Sequence, residues 1–227
     1  METVATAGSV ALLRGRELVN ETQLPPESRS ARTLAAAVQS LWHAVGKPPV
    51  ALVAVALGPG SFTGLRVGVT TAKALAFAWQ AKLVGVNTLD AIAAQCEPWN
   101  TSGESHLEVV LDAQRQELFV ARFHSSPEPS ENGGSPWQRV ADDSIISSQD
   151  WLATLTPDTH VAGPALVKLR PRLPETIPAS PESAWHPRAE TIGRLAALAH
   201  QAGASDQLWT LVPHYGRPSY AEEKSGS

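Results

Sequence analysis

The chain has 227 residues, 43% of them apolar, enough to bury a sizeable core in one two-lobed unit or two small domains. Its net charge is −4 and it holds no run of lysine or arginine, which excludes a surface that itself grips RNA or DNA through counterion release. A single cysteine, Cys96, excludes an internal disulfide and a cysteine-only zinc cluster. Apolar runs fall short of the ~18 residues that a membrane helix needs, and no charged-then-apolar leader opens the sequence, so a cytoplasmic location is expected.

Ser9–Leu13 (SVALL) and Glu17–Thr22 (ELVNET) flank Arg-Gly-Arg and predict a hairpin. Leu34, Val38, Leu41 and Val45 recur at helical spacing and predict a helix over Ala31–Val45. Ser30 would cap it, and Gly46 with Pro48 would stop it. Val50–Leu57 is apolar without alternation, hence a strand covered on both faces. A glycine loop, GPGSFTGLRVG, follows and opens a helix reaching about Ala81. KLVGV (82–86) predicts another buried strand, and Thr88 would cap a short helix running to about Cys96.

After a polar break at 97–105 the order begins again. Strands are predicted at His106–Leu111 and Glu117–Phe123, joined by a turn at DAQRQ, with a solvated loop over 124–136. A third strand is expected near Gln138–Ile146, and a short helix from Ser148 carrying Trp151 and Leu155. HVAG (160–163) predicts a strand, Pro164–Arg172 a short helix, and 188–202 an amphipathic helix through Ile192, Leu195, Ala196 and Ala199. Both halves thus predict a hairpin, strand, helix, strand and helix, a duplicated α/β unit with a cleft between lobes. The second half opens with a full apolar strand, LEVVL, before Asp112. The first half should open likewise before Glu2 and Thr3, so a first strand is missing. Upstream codons encoding about five apolar residues are the expected source, a real truncation the alternative.

The glycines fall at Gly58, Gly60 and Gly64, which is neither the dinucleotide-binding fingerprint nor a Walker loop. Gly58, Gly60, Ser61 and Gly64 are still candidate phosphate contacts, because glycines admit close approach and a helix start offers free N–H groups. The alternative is a tight strand-to-helix turn. Gly64, Gly68, Ala72 and Ala76 then repeat every four residues, leaving one helix face nearly bare for a close neighbour. That neighbour is either part of this chain or a partner's helix.

GPGSFTGLRVGVTTAKALAF with LVGVNTLDAIAAQ closely resembles the signature of the TsaB (YeaZ) family. ETVATAGSVALL is similar to that family's opening turn and second strand, LDAQRQELFVARF to its Asp-Ala-Arg strand pair, and VPHYGRPSYAEE to its closing segment. The departures are Glu2 for the opening aspartate, RSART where the first helix often carries His-Ser, and Gly216 for a leucine. The resemblance implies a duplicated RNase-H-like (actin-like, ASKHA) fold. Lobes at 1–98 and 99–205 would be followed by an arm at 206–227 whose end is disordered. It implies a non-catalytic paralogue of a TsaD-type transferase. With a TsaE-type ATPase, that pair adds threonylcarbamoyl to adenosine 37 of tRNAs reading A-starting codons. The helices at Ala31–Val45 and Thr63–Trp79 would dock the transferase, with Leu34, Val38, Leu41, Gly64, Gly68, Ala72 and Ala76 as interface residues. A homodimer through the same faces is expected when the chain is alone, and contact with tRNA only within the complex. No cofactor is expected of this chain itself, although ATP or ADP could sit at the complex without being turned over.

Residue chemistry agrees in what it withholds. No two of the seven histidines lie four apart, so a helical zinc pair is not encoded. GPGSFTG lacks the Gly-x-Ser-x-Gly frame, so Ser61 is expected to cap a helix rather than attack a substrate. Cys96 is expected in the core, and Asp112 in a turn or ion-pair contact with Arg115. The rival function is an actin-fold small-molecule kinase using the glycine loop for ATP, with Glu2 and Asp112 as its acids. A regulatory protein that holds a nucleotide unchanged is a third reading.

Overall fold

The computed structural model describes residues 1–5, 7–25, 31–98, 105–125 and 135–216. Ser30, most of the break at 97–105, most of the loop at 124–136 and the EEKSGS end lie outside these residues.

Strands β1 (Ser9–Arg14) and β2 (Glu17–Gln23) form the expected hairpin, turning at Gly15 with positive φ. Helix α1 (Ala31–Ala44) buries Leu34, Val38 and Leu41, as its periodicity predicts. Strand β3 (Leu52–Gly58) feeds through the glycine loop into helix α2 (Phe62–Trp79). Strand β4 (Lys82–Asn87) then returns parallel to β3. A parallel pair needs a crossover, and α2 supplies it. Helix α3 (Thr88–Ala93) follows at once. Its cap is Asn87 rather than Thr88: the Asn87 Oδ1 accepts from Leu89 N at 2.7 Å, while Thr88 is already the first helical residue.

Strands β5 (Ser105–Asp112) and β6 (Glu117–Ser125) pair antiparallel over their whole length. The single strand expected near 138–146 is two, β7 (Trp137–Arg139) and β8 (Ser144–Ser147), both against β6. Between them Asp143 bonds Arg139 and also accepts from Asn87 Nδ2 at 2.8 Å. These bonds draw the chain off the ladder. Helix α4 (Ser148–Thr154) begins on Ser147, whose Oγ accepts from Asp150 N at 3.0 Å. Strand β9 (Thr159–Ala162) lies parallel to β5. Helix α5 (Leu166–Leu169) continues as a 3-10 turn to Arg172, shorter than expected because Pro171 cannot extend the α ladder. Helix α6 (Ala189–Gln201) is the last.

The result is one five-stranded sheet in the second half and two separate two-stranded sheets in the first. Trp151, Leu107, Val109 and Leu166 lie at the heart of the second-half core. A second core joins α1 and α2 to β1 and β3, and Leu211 of the C-terminal arm enters it. Helix α6, placed with the second half by sequence order, instead lays Ile192 and Ala196 on Ala56 and Val84 of β3 and β4. Beside it, Ser9 Oγ accepts from Ala189 N at 2.8 Å and Arg188 bonds Glu21 at 2.6 Å. The non-alternating pattern of β3 is thereby explained: α2 covers one face, α6 the other.

Candidate functional site

The glycine loop is shaped by its own chain. Gly58 and Gly60 hold φ of 113° and 151°, a region that favours glycine. A Cβ on Gly58 would sit 2.1 Å from the His214 carbonyl oxygen, and one on Gly60 1.7 Å from Val4 Cγ1. Ser61 caps α2, its Oγ accepting from Gly64 N at 3.3 Å, and its carbonyl oxygen accepts from Leu65 N at 2.8 Å. Thr3 Oγ1 donates to Gly64 O at 2.8 Å. The space beside Gly58, Gly60 and Gly64 is filled by Val4, Thr3 and the C-terminal arm.

The bare face of α2 has the same destination. A Cβ on Gly64 would fall 2.0 Å from Thr3 O, and one on Gly68 2.3 Å from Thr3 Oγ1. Ala72 and Ala76 are buried in the core that α2 shares with β3. Leu34, Val38 and Leu41 are buried there too. The neighbour that these small residues admit is therefore in this chain. All seven residues expected at the interface, Leu34, Val38, Leu41, Gly64, Gly68, Ala72 and Ala76, are thus buried within this chain.

What the two helices do expose lies on their other faces. Phe62 and Phe77 of α2 are 50% and 65% exposed, and Trp209 and Val212 of the arm 77% and 68%. Phe62 stacks on Tyr215 with centroids 4.7 Å apart, and Arg66 lies over the Phe62 ring at 5.4 Å. Phe77 meets Trp209 at 6.0 Å, and Lys73 Nζ donates to Trp209 O at 3.3 Å. The arm is held in place by its backbone: Asp206 N donates to Leu83 O at 2.8 Å and His214 N to Leu57 O at 2.7 Å. These contacts set an aromatic stripe along the outside of α2. Sequence reasoning fixed on the glycine face and missed it, yet Phe62, Arg66, Thr70, Lys73 and Phe77 follow helical spacing on the opposite side.

The remaining reactive groups are engaged. Partial burial works to raise the Asp112 carboxyl, but the Lys168 ammonium at 2.7 Å and the Gln114 amide at 2.8 Å hold it below its ordinary value. The turn contact was expected, with Arg115 rather than Lys168 as partner. Burial pushes the Cys96 thiol up to about 11, so it carries almost no thiolate near neutrality. Among the described residues, no three His, Cys, Asp or Glu side chains gather as a metal site. Nor is any described helix long and apolar enough to cross a membrane.

Residues 27–172 match the family model described as TsaD, tRNA N6-adenosine threonylcarbamoyltransferase. The chain is 30% identical over 125 residues to the Escherichia coli K12 tRNA threonylcarbamoyladenosine biosynthesis protein TsaB, covering 54% of this chain and 53% of that one. It is 31% identical over 150 residues to the Bacillus subtilis protein of the same name, covering 64% and 60%. These matches span between half and two thirds of those relatives. The fold is that of YeaZ from Pseudomonas aeruginosa, with a TM-score of 0.73 at 22% identity over 94% of this chain and 96% of the other. With a TsaD-type domain over most of its length, TsaB relatives in two organisms and the YeaZ fold, the chain belongs to the TsaB/YeaZ family.

Proposed function

We infer that this protein is a non-catalytic subunit in the formation of tRNA threonylcarbamoyladenosine, and that it acts by docking on a TsaD-type transferase and activating it. The observation that carries the docking surface is the exposed stripe of Phe62, Phe77 and Trp209 along α2. Exposed aromatics at both ends of one helix, with Arg66 and Lys73 between them, make a mixed apolar and basic face suited to a protein partner. The exposed face of α1 would extend the surface, while the glycine loop and the inward residues Gly64, Gly68, Ala72 and Ala76 seat α2 rather than touch the partner. The two halves, 1–98 and 99–205, are read as copies of one RNase-H-like unit, with 206–227 as an arm. A TsaE-type ATPase joins the pair, tRNA meets this chain only through the complex, and alone the chain pairs with itself through the same stripe.

Reconstitution tests the reading. The same organism's TsaD, TsaE and threonylcarbamoyl-adenylate source would be mixed with ATP, threonine, bicarbonate and tRNA, with and without this chain. Modified adenosine is expected only in its presence. Magnesium-dependent ATP hydrolysis by the isolated chain would instead favour the kinase reading. Phe77→Asp with Trp209→Asp should abolish co-elution with TsaD and leave the melting temperature within a few degrees of wild type.

A further inference from the structure

The hairpin of β5 and β6 is closed by its turn at one end and open at the other, and His106 faces His124 at the open end. The ladder fixes the type of pair they make. Ala113 N donates to Glu117 O at 2.9 Å, so that pair is hydrogen-bonded, and bonded pairs alternate with unbonded ones along an antiparallel ladder. Counting back, Leu111, Val109 and Leu107 fall in bonded pairs, and Asp112, Val110, Glu108 and His106 in unbonded ones. The other edge of β6 agrees: Arg122 O accepts from Val140 N at 2.9 Å, so the Arg122 backbone points away from Glu108.

An unbonded pair brings its side chains closest, with Cα atoms about 4.5 Å apart. Glu108 and Arg122, the next unbonded pair along, show the reach: their side chains meet at 2.8 Å. His106 and His124 lie on that same face, two residues on, while Leu107 and Phe123 between them are buried on the other. His106 is exposed and His124 half-buried, and among the described residues neither ring takes part in a hydrogen bond or ion pair. Gln138 of β7, also exposed, stands in register with His124 on its far side. The nearer carboxylate of this face, Glu108, is taken by Arg122 and by Trp151 Nε1. Among the described residues, the open end therefore offers two imidazoles and an amide oxygen, with no carboxylate to spare.

We propose that His106 and His124 chelate one divalent late transition-metal ion across the open end of the β5–β6 ladder. The Gln138 carbonyl oxygen is a weaker third ligand, and water fills the remaining positions. Cβ atoms about 5 Å apart let both rings lean onto one ion, which holds imidazole nitrogens at about 2.0–2.1 Å. Neutral nitrogen donors select zinc, nickel or copper over magnesium and calcium, which take oxygen. The pairing of Arg122 with Glu108 offsets the cation beside the site. The bound ion pins the open end of the hairpin, as the left-handed turn at Gln114, Arg115 and Gln116 pins the closed one.

The test titrates zinc chloride into the full chain, following the histidine rings by nitrogen NMR and the affinity by calorimetry. The ring signals of His106 and His124 are expected to shift together and to saturate at one ion per chain, ahead of those of His43, His186, His200 and His214. His106→Ala and His124→Ala should each weaken binding by about tenfold or more, and the double variant little further, because losing either arm ends the chelate. Gln138→Ala should weaken it by only about two- to fivefold, an amide oxygen being the poorer ligand for these metals. His186→Ala, which removes an exposed ring elsewhere, should leave the affinity unchanged. Because the ion binds the native chain, saturating zinc should raise the melting temperature of the wild type and of His186→Ala but not of the double variant. Unchanged zinc affinity in both single variants of the pair would overturn the proposal. So would ring signals that move for all exposed histidines at once without saturating at one ion, the mark of an adventitious ion only. Should a variant fail to fold, the wild-type ring signals decide alone. No transferase or tRNA enters these measurements, so their failure is separate from failure of the docking reading.

Discussion

At the residue scale, glycine positions divide by what approaches them. Gly68 faces Thr3 and Val55 with no room for a methyl group, so Gly68→Leu should destabilise the fold by about 1–3 kcal/mol, read from urea unfolding. Loss of partner binding by that variant would follow from damage to the core, which is why Phe77→Asp and Trp209→Asp are the sharper probes of docking. The thiol of Cys96 should resist an aromatic disulfide reagent at pH 8 in the native chain and react at once in denaturant, because burial holds it at about 11. The Met1 amine titrates the other way. Burial lowers it to about 6 from 8.0, so below the lower value both folded and unfolded chains are charged and the folded chain bears the full desolvation cost. Above 8.0 neither is charged. Stability of this sequence should therefore rise between those two values, and acetylation of the amine should flatten that rise.

At the scale of elements, the helices and strands with strong periodicity were legible from residues alone. Leu34, Val38 and Leu41 fix α1, and the unalternating run of β3 correctly demands cover on both faces. What escaped is set by contacts distant in sequence. Asn87 takes the α3 cap because its amide also reaches Asp143, and that same Asp143 splits one expected strand into β7 and β8. The outer stripe of α2 was hidden for a different reason: Phe62 and Phe77 are exposed and meet aromatic partners, Tyr215 and Trp209, that lie more than a hundred positions later. Trp151 carries a prediction at this scale. It is fully buried and its Nε1 donates to Glu108 Oε2 at 2.7 Å, while Glu108 also pairs with Arg122 at 2.8 Å. Trp151→Phe should cost about 1–3 kcal/mol by removing a donor from the partly buried Glu108 carboxylate on β5, measured by denaturant unfolding.

For the molecule as a whole, family and α/β class were readable because the glycine motif and its flanking strands are contiguous in sequence. How the halves join was not, since it depends on α6 and the arm crossing back over the first half. Deleting residues 206–227 should lower the melting temperature by several degrees, because Leu211 leaves the core and Asp206 and His214 release β4 and the loop.

The return of α6 also sets the order of events during synthesis. The ribosome makes β3 and β4 long before Ile192 and Ala196, so the face that those side chains cover stays wet until α6, about a hundred residues later, has emerged. A nascent chain arrested before Ala189 would present Ala56, Val84 and Val86 to whatever holds unfinished proteins, and the amino-terminal half would complete itself only once α6 has emerged.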